Sequence, residues 1–265
     1  MRSIRDFSEA RRMARPIVML TAYDALMARL VGESGADAIL VGDSAAMVVH
    51  GFPSTVEATL EMMVLHTAAV RRGAGACPIV ADMPFGSYRK GRHAAADAAG
   101  ALIQAGANAV KLEGVDGHEE VIPHLVSGGI PVMGHLGLLP QSVNLLGGYR
   151  MQGVSPVAAA KIEADARRLE QLGAFAVVLE CVPAGLAGAV TRAIDIPTIG
   201  IGAGPETSGQ ILVVTDVLGL DDRFRPRFAR RYLDGHAAVL TALRAYVEDV
   251  RTVRFPEAQC DPASA

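Results

Sequence analysis

The chain has 265 residues, 51% hydrophobic and 20% charged, which is ample for a large core and excludes a disordered chain. Its 25 basic and 28 acidic side chains leave a formal charge of −3, which argues against the basic footprint of a nucleic-acid binder. Three scattered cysteines (Cys77, Cys181, Cys260) match neither a disulfide framework nor a zinc site and suit the cytoplasm, and no apolar run reaches the roughly 18 residues of a membrane span.

The first 15 residues carry five arginines together with Asp6 and Glu9, and no apolar stretch follows them. They read as a solvated first helix rather than a secretory signal. Two repeat families then alternate. Pro16, Pro78, Pro131 and Pro197 each open a short apolar run, as proline does at a strand's first residue. Between them lie Gly35-Ala36-Asp37-Ala38, Gly106-Ala107-Asn108-Ala109 and Gly173-Ala174-Phe175-Ala176, each a helix-ending glycine before another apolar run. Ile211-Leu212-Val213-Val214 supplies an eighth run.

Helical patterns fill most of the gaps. Ser54-Thr55-Val56-Glu57 reads as a capping box opening a helix with Val56, Leu60, Met63 and Val64 on one face. Further helices are predicted over 94–105, 119–126, 156–172 and 184–193, with a last one ending near Arg251. Eight apolar strands alternating with helices predict a parallel (β/α)8 TIM barrel, a single domain over 1–265 with a frayed tail from about 255. The loop 138–155 is long enough for a lid, and Ile201-Gly202-Ala203-Gly204 resembles a phosphate-cradling turn, although a short glycine cluster after a strand is more often only a tight turn. The arginines between 223 and 231 read as a solvated face.

In such a barrel the reacting groups sit at the C-terminal ends of strands. Those ends carry Asp43-Ser44, Asp82, Lys111 with Glu113, His135, and Glu180. Any one carboxylate could be a helix N-cap, but five consecutive strands ending in ionisable groups point to a site. Asp43, Asp82 and Glu113 come from neighbouring strands about 4.8 Å apart. One hard cation is within reach of all three, directly or through water, and an all-oxygen set favours Mg2+ over zinc.

The chain has three lysines against 22 arginines, so Lys111 between Val110 and Leu112 is no surface decoration. Lying two residues before Glu113, it shares that residue's inward face. Either a carboxylate ligand or the neighbouring acids would partner it, and those acids favour a charged ammonium over a Schiff base. Glu180, a lone carboxylate across the mouth, suits a general base or a structural salt bridge. His135 reads as a site or core histidine, Ser44 as an anion donor or a helix cap, and Cys181 as a buried inert thiol.

These residues lie in segments that resemble the ketopantoate hydroxymethyltransferase family: LTAYD (20–24), LVGDS (40–44), HTAAVRRGA (66–74), ADMPFGSY (81–88), GANAVKLEG (106–114), GHLGLLPQSVN (134–144), GGYRMQG (147–153) and LECVP (179–183). IGIGAG followed by GQILV extends the resemblance, which runs from about 17 to 233. It implies a barrel of the phosphoenolpyruvate mutase/isocitrate lyase type. It also implies transfer of a one-carbon unit from 5,10-methylenetetrahydrofolate to 3-methyl-2-oxobutanoate, giving 2-dehydropantoate for pantothenate synthesis.

By the same resemblance Asp43 and Asp82 ligate Mg2+, and Glu113 reaches it through water. Ser44, Asp82 and Lys111 hold the keto acid with His135 in the same site, and Glu180 accepts the proton. The family's homo-oligomers, commonly decamers, imply the same here. The chain departs from the pattern at Pro53 and Ser208, where aspartate is usual, and after Phe255-Pro256-Glu257, where a histidine is usual. A Mg2+-dependent 2-oxo acid lyase or mutase is the rival enzyme, although 136–156 lacks the cysteine that isocitrate lyases carry in a catalytic loop. A non-catalytic metabolite-binding barrel is the third reading, and it has no need of Glu180.

Overall fold

The computed structural model of the chain describes residues 3–223 and 226–256. The predicted tail beyond Pro256 (Glu257 and Cys260 included) and Arg225 of the arginine stretch lie outside the described residues. The chain forms two compact units, one running to Val213 and the other from Val214.

In the first unit α1 (Asp6–Arg12) precedes β1 (Ile17–Thr21), α2 (Ala25–Glu33), β2 (Ala38–Val41) and the short α3 (Ala45–Val48). Then come α4 (Leu60–Gly73), β3 (Ile79–Asp82), α5 (Arg92–Gln104), β4 (Ala109–Glu113), α6 (Val121–Ser127) and β5 (Val132–Gly137). The loop after β5 holds a 3-10 turn (Pro140–Ser142) and α7 (Val143–Leu146). The chain continues through α8 (Pro156–Gln171), β6 (Ala176–Glu180), α9 (Ala184–Ala193), β7 (Thr198–Ile201) and β8 (Gly209–Leu212). Among the described residues, eight strands pair in parallel in chain order, and β8 closes onto β1.

Side chains alternate in and out along each strand, so the core fixes which residues face inward. The buried cluster contains Ile17 and Met19 of β1, Ala38 and Leu40 of β2, Val80 of β3 and Ala109 of β4. Met133 of β5, Ala176 and Val178 of β6, Ile199 of β7 and Ile211 of β8 also belong to it. Continuing those rows two residues at a time reaches Asp82, Lys111, Glu113, His135 and Glu180. The alternation that builds the core therefore delivers the ionisable groups to the other end of the barrel.

The last alanine of each glycine repeat (Ala38, Ala109, Ala176) opens a strand and is fully buried. Three small side chains at the strand starts leave room for Phe7 of α1, which is buried in the same cluster and packs edge-on to Phe175 at 5.4 Å. The first helix is thus not merely solvated. Its Phe7 and Ala10 are buried, Arg11 is half-buried with its guanidinium donating to the Thr191 and Ile194 carbonyls, and Arg12 and Arg15 are exposed.

Two local expectations are corrected. Ser54 caps only a 3-10 turn (Thr55–Glu57), accepting from Val56 N–H at 3.1 Å, with its hydroxyl 2.7 Å from Glu57. The α-helix begins later, at a cap made by Thr59, which accepts from Met62 N–H at 3.2 Å. Ala58, in extended backbone, separates the two. The eighth strand starts at Gly209 and stops at Leu212, earlier than its apolar run, because Val214 already opens a helix.

The second unit contains α10 (Val214–Leu218) and α11 (Gly235–Arg251). On α11 only Gly235 is buried, whereas Val239, Leu243, Tyr246, Val247 and Val250 are exposed at helical spacing along one face. Among the described residues no helix is long and apolar enough to cross a membrane.

Candidate active site

Strand register assembles the site. Asp82 on β3 pairs with Lys111 on β4, Glu113 with His135 on β5, and Gly137 with Glu180 on β6. Gly137 has φ +92°, and a Cβ there would lie 2.2 Å from the Glu180 carbonyl oxygen, so glycine is required for the two strand ends to meet. Asp43 lies just beyond β2 in the turn into α3, and its backbone N–H donates to Asp82 Oδ2 at 3.0 Å. Asp43, Asp82, Lys111, Glu113 and His135 are all buried, and the Glu180 side chain is 17% exposed. None of the four carboxylates caps a helix: the caps of α5, α6 and α9 are Gly91, Glu120 and Pro183.

Lys111 Nζ lies 3.0 Å from Asp82 Oδ1 and donates to His135 Nδ1 at 3.2 Å. Burial works against the ammonium, but Asp82, Glu113 and Asp43 outweigh it and hold Lys111 above its ordinary value. It is therefore a charged group, as the acids around it predict. Lys161, by contrast, sits half-exposed in a surface network with Asp116 and Asp165.

A lysine only donates, so His135 Nδ1 is an acceptor. Burial and the Lys111 charge press the imidazole well below its usual value, so it is neutral and its proton is on Nε2. That nitrogen lies 3.1 Å from Glu180 Oε2, without the alignment of a full hydrogen bond. Glu180 is thus not alone across the mouth, because His135 presents an N–H to it. Burial raises Glu180 from 4.5 to about 7, with Lys111 acting in the opposite sense.

Negative charge is in excess here. Burial and the charge of Asp82 raise Asp43 to about 7, and burial with the charge of Asp43 pushes Glu113 well up. One ammonium does not neutralise Asp43, Asp82, Glu113 and Glu180, and a bound cation would relieve that excess. The donors are all carboxylate oxygens, which suits a hard cation. Among the described residues no three His, Cys, Asp or Glu side chains converge to hold a metal ion by themselves.

Ser44 occupies the N-cap position of α3 without capping it through its side chain. Its Oγ is 2.8 Å from the Tyr23 hydroxyl. Cys181 follows Glu180 with φ +46°, a left-handed turn for a non-glycine residue at the end of β6. Cys181 is half-buried rather than buried, and burial and Glu180 raise its thiol to about 11, consistent with inertness. The turn at 201–204 is closed by Gln210, which donates to the Gly204 carbonyl at 2.9 Å.

Two buried residues escaped sequence reasoning. Gln141, in the 3-10 turn of the loop after β5, donates through Nε2 to Asp43 Oδ2 at 2.8 Å and through its backbone N–H to Glu113 Oε2 at 3.0 Å. Tyr88 donates its hydroxyl to Gln141 Oε1 at 2.7 Å. Both lie inside the quoted segments GHLGLLPQSVN and ADMPFGSY, but their side chains are uncharged and attract no attention by themselves. Tyr149 approaches from the same loop, its hydroxyl 3.8 Å from the Met47 sulfur.

A model of the family described as ketopantoate hydroxymethyltransferase matches residues 2–258. A 3-methyl-2-oxobutanoate hydroxymethyltransferase of Bdellovibrio bacteriovorus is 50% identical over 256 residues, covering 97% of each chain. One of Coxiella burnetii is 49% identical over 252 residues, covering 95% of each. Among solved structures, a phosphoenolpyruvate phosphomutase of Streptomyces platensis subsp. rosaceus aligns with TM-score 0.67 at 14% identity, over 97% of this chain and 91% of its own. A 2,3-dimethylmalate lyase of the PEP mutase/isocitrate lyase superfamily aligns with TM-score 0.62 at 17% identity, over 98% and 92%. A phosphonopyruvate hydrolase in complex with oxalate and Mg2+ gives TM-score 0.66 at 13% identity, over 98% and 90%. The likeness is one of barrel fold.

Proposed function

The chain belongs to the ketopantoate hydroxymethyltransferase family, an enzyme family of hydroxymethyl transferases, and from that premise we propose how its site works. The substrate is 3-methyl-2-oxobutanoate, the one-carbon donor 5,10-methylenetetrahydrofolate and the product 2-dehydropantoate. The observation that carries this reading is Glu180, a buried carboxylate raised to about 7 and facing the N–H of a neutral histidine. A base poised near neutrality suits removal of a proton next to a carbonyl.

Asp43 and Asp82 would hold Mg2+, with Glu113 reaching it through water. Mg2+ usually keeps several waters and takes only one or two protein carboxylates, which suits this pair. When bound, Mg2+ supplies Lewis-acid stabilisation of the charge that develops on the keto oxygen. Ser44 and Lys111 bind and orient the keto acid, and the ammonium offsets its carboxylate charge. Glu180 takes the C3 proton, and the His135 N–H steadies that carboxylate before transfer. C3 then forms the new carbon–carbon bond to the donor's methylene. Water supplies the hydroxyl, the two carbon–nitrogen bonds to the folate break, and tetrahydrofolate leaves with two protons, one from C3 and one from that water.

The loop 138–155 acts as a lid over this chemistry. The reading includes a cytoplasmic location, supported by the free Cys77 and Cys181. It also includes a homo-oligomer in which a second copy covers the apolar face of α11, supported by the exposed stripe Val239, Leu243, Tyr246 and Val250. A monomer by light scattering would contradict the last point.

The test is NMR of 3-methyl-2-oxobutanoate in D2O with the protein. We expect deuteration at C3 that requires Mg2+ and is lost in Glu180→Ala, with ketopantoate formed only when tetrahydrofolate and formaldehyde are added. Exchange without product would leave an enolising enzyme with another acceptor. No exchange in folded, Mg2+-loaded protein would remove Glu180 as the base.

A further inference from the structure

We propose that Gln141 is a specificity-determining residue: its side chain ties up one oxygen of Asp43, so that this carboxylate offers the other to a cation, and so favours a small octahedral cation over a larger one. This rests on the cation reading of Asp43, Asp82 and Glu113 given above.

Each of the three carboxylates has one oxygen engaged by a neutral N–H. Gln141 Nε2 donates to Asp43 Oδ2 at 2.8 Å, the Gln141 backbone N–H to Glu113 Oε2 at 3.0 Å, and the Asp43 backbone N–H to Asp82 Oδ2 at 3.0 Å. Two of these three donors belong to Gln141. The opposite oxygens look elsewhere: Asp82 Oδ1 toward Lys111 at 3.0 Å, and Glu113 Oε1 toward His135 at 3.6 Å.

The orientation of the amide is forced. Nε2 donates to a carboxylate and also to the Met83 carbonyl at 2.9 Å, and neither partner can donate in return. Oε1 therefore accepts the Tyr88 O–H, whose oxygen is left to accept the Glu113 N–H at 3.3 Å. A flipped amide would set its oxygen against two acceptors. Gln141 is 3% exposed, so water does not replace these bonds.

A small cation such as Mg2+ takes single oxygens in octahedral geometry and fills its other positions with water. Ca2+ is larger, takes six to eight oxygens and often uses both oxygens of one carboxylate. A carboxylate oxygen that already accepts a charge-assisted hydrogen bond is a weaker and directionally restricted metal donor, so ligation through both oxygens of that carboxylate is disfavoured relative to ligation through the other oxygen alone. The Gln141 side chain thus favours one-oxygen ligation by Asp43, while its backbone N–H, which substitution leaves in place, holds one oxygen of Glu113.

Calorimetric titration of the full-length, substrate-free protein with MgCl2 and with CaCl2 tests this. We expect the wild type to prefer Mg2+, and Gln141→Met to narrow the Mg2+-to-Ca2+ affinity ratio by about tenfold or more, the lower end for losing a hydrogen bond to a charged group. Tyr88→Phe keeps the donor to Asp43 and is expected to keep the wild-type ratio. Should Gln141→Met not fold, Gln141→Asn, one methylene too short to reach Asp43, gives the same readout. An unchanged ratio in the Gln141 variants overturns the inference while leaving the cation reading standing. Equal narrowing in Tyr88→Phe also overturns it, since general loosening would then be the cause. A folded wild type that binds neither ion defeats the cation reading itself.

Discussion

Glu180→Gln removes a carboxylate that the fold holds in its least comfortable state. In the metal-free protein burial raises that group from 4.5 to about 7. A carboxylate raised on folding binds its proton more tightly in the native state. Its stabilising contribution is therefore full below pH 4.5 and is lost as the pH rises toward 7. At about 1.4 kcal/mol per pH unit, the difference corresponds to about 3 kcal/mol of destabilisation at pH 8, an order-of-magnitude figure. The neutral amide has a similar shape and does not carry that cost. Urea unfolding in the presence of a chelator, at pH 5 and pH 8, measures it. The variant should be more stable than the wild type at pH 8, by up to about 3 kcal/mol, with the gap closing toward pH 5. The same variant should lose C3 proton exchange, so activity and stability move in opposite directions. A variant no more stable than the wild type at pH 8 would refute the claim that burial holds this carboxylate unfavourably.

The raised Glu180 also predicts an acidic limb in kcat/KM near pH 7, because the base must be ionised; a flat profile from pH 5.5 to 8 would contradict it. Lys111→Met leaves Asp82 and its neighbours buried without their ammonium and should cost about 3–5 kcal/mol in denaturant unfolding, together with most of the activity. Phe7→Ala empties the space left by the alanines at the strand starts and should cost about 3–5 kcal/mol by the same assay, with KM unchanged because the site lies at the other end of the strands.

Much of the molecule was legible in the chain itself. Alternating proline and glycine punctuation marked the strands, since a missing N–H and a left-handed helix end are local properties of those residues. The period of two put Lys111 and Glu113 on one face, and the strand ends located Asp82, His135 and Glu180 without any knowledge of their partners. Helix starts were less legible: the Ser54 box was a real local signal, but extended backbone at Ala58 handed the helix to Thr59. Burial of Phe7 depended on small residues from three separate strands, which no local pattern reveals.

The tertiary structure decided what the charged residues mean. Their proton states follow from burial and from neighbours brought together by strand register, so burial and then Lys111 hold His135 below its usual value, and burial raises Glu180 to about 7. Gln141 and Tyr88 became visible in the same way. An uncharged side chain gains importance from where its hydrogen bonds point, and only the folded chain fixes those directions.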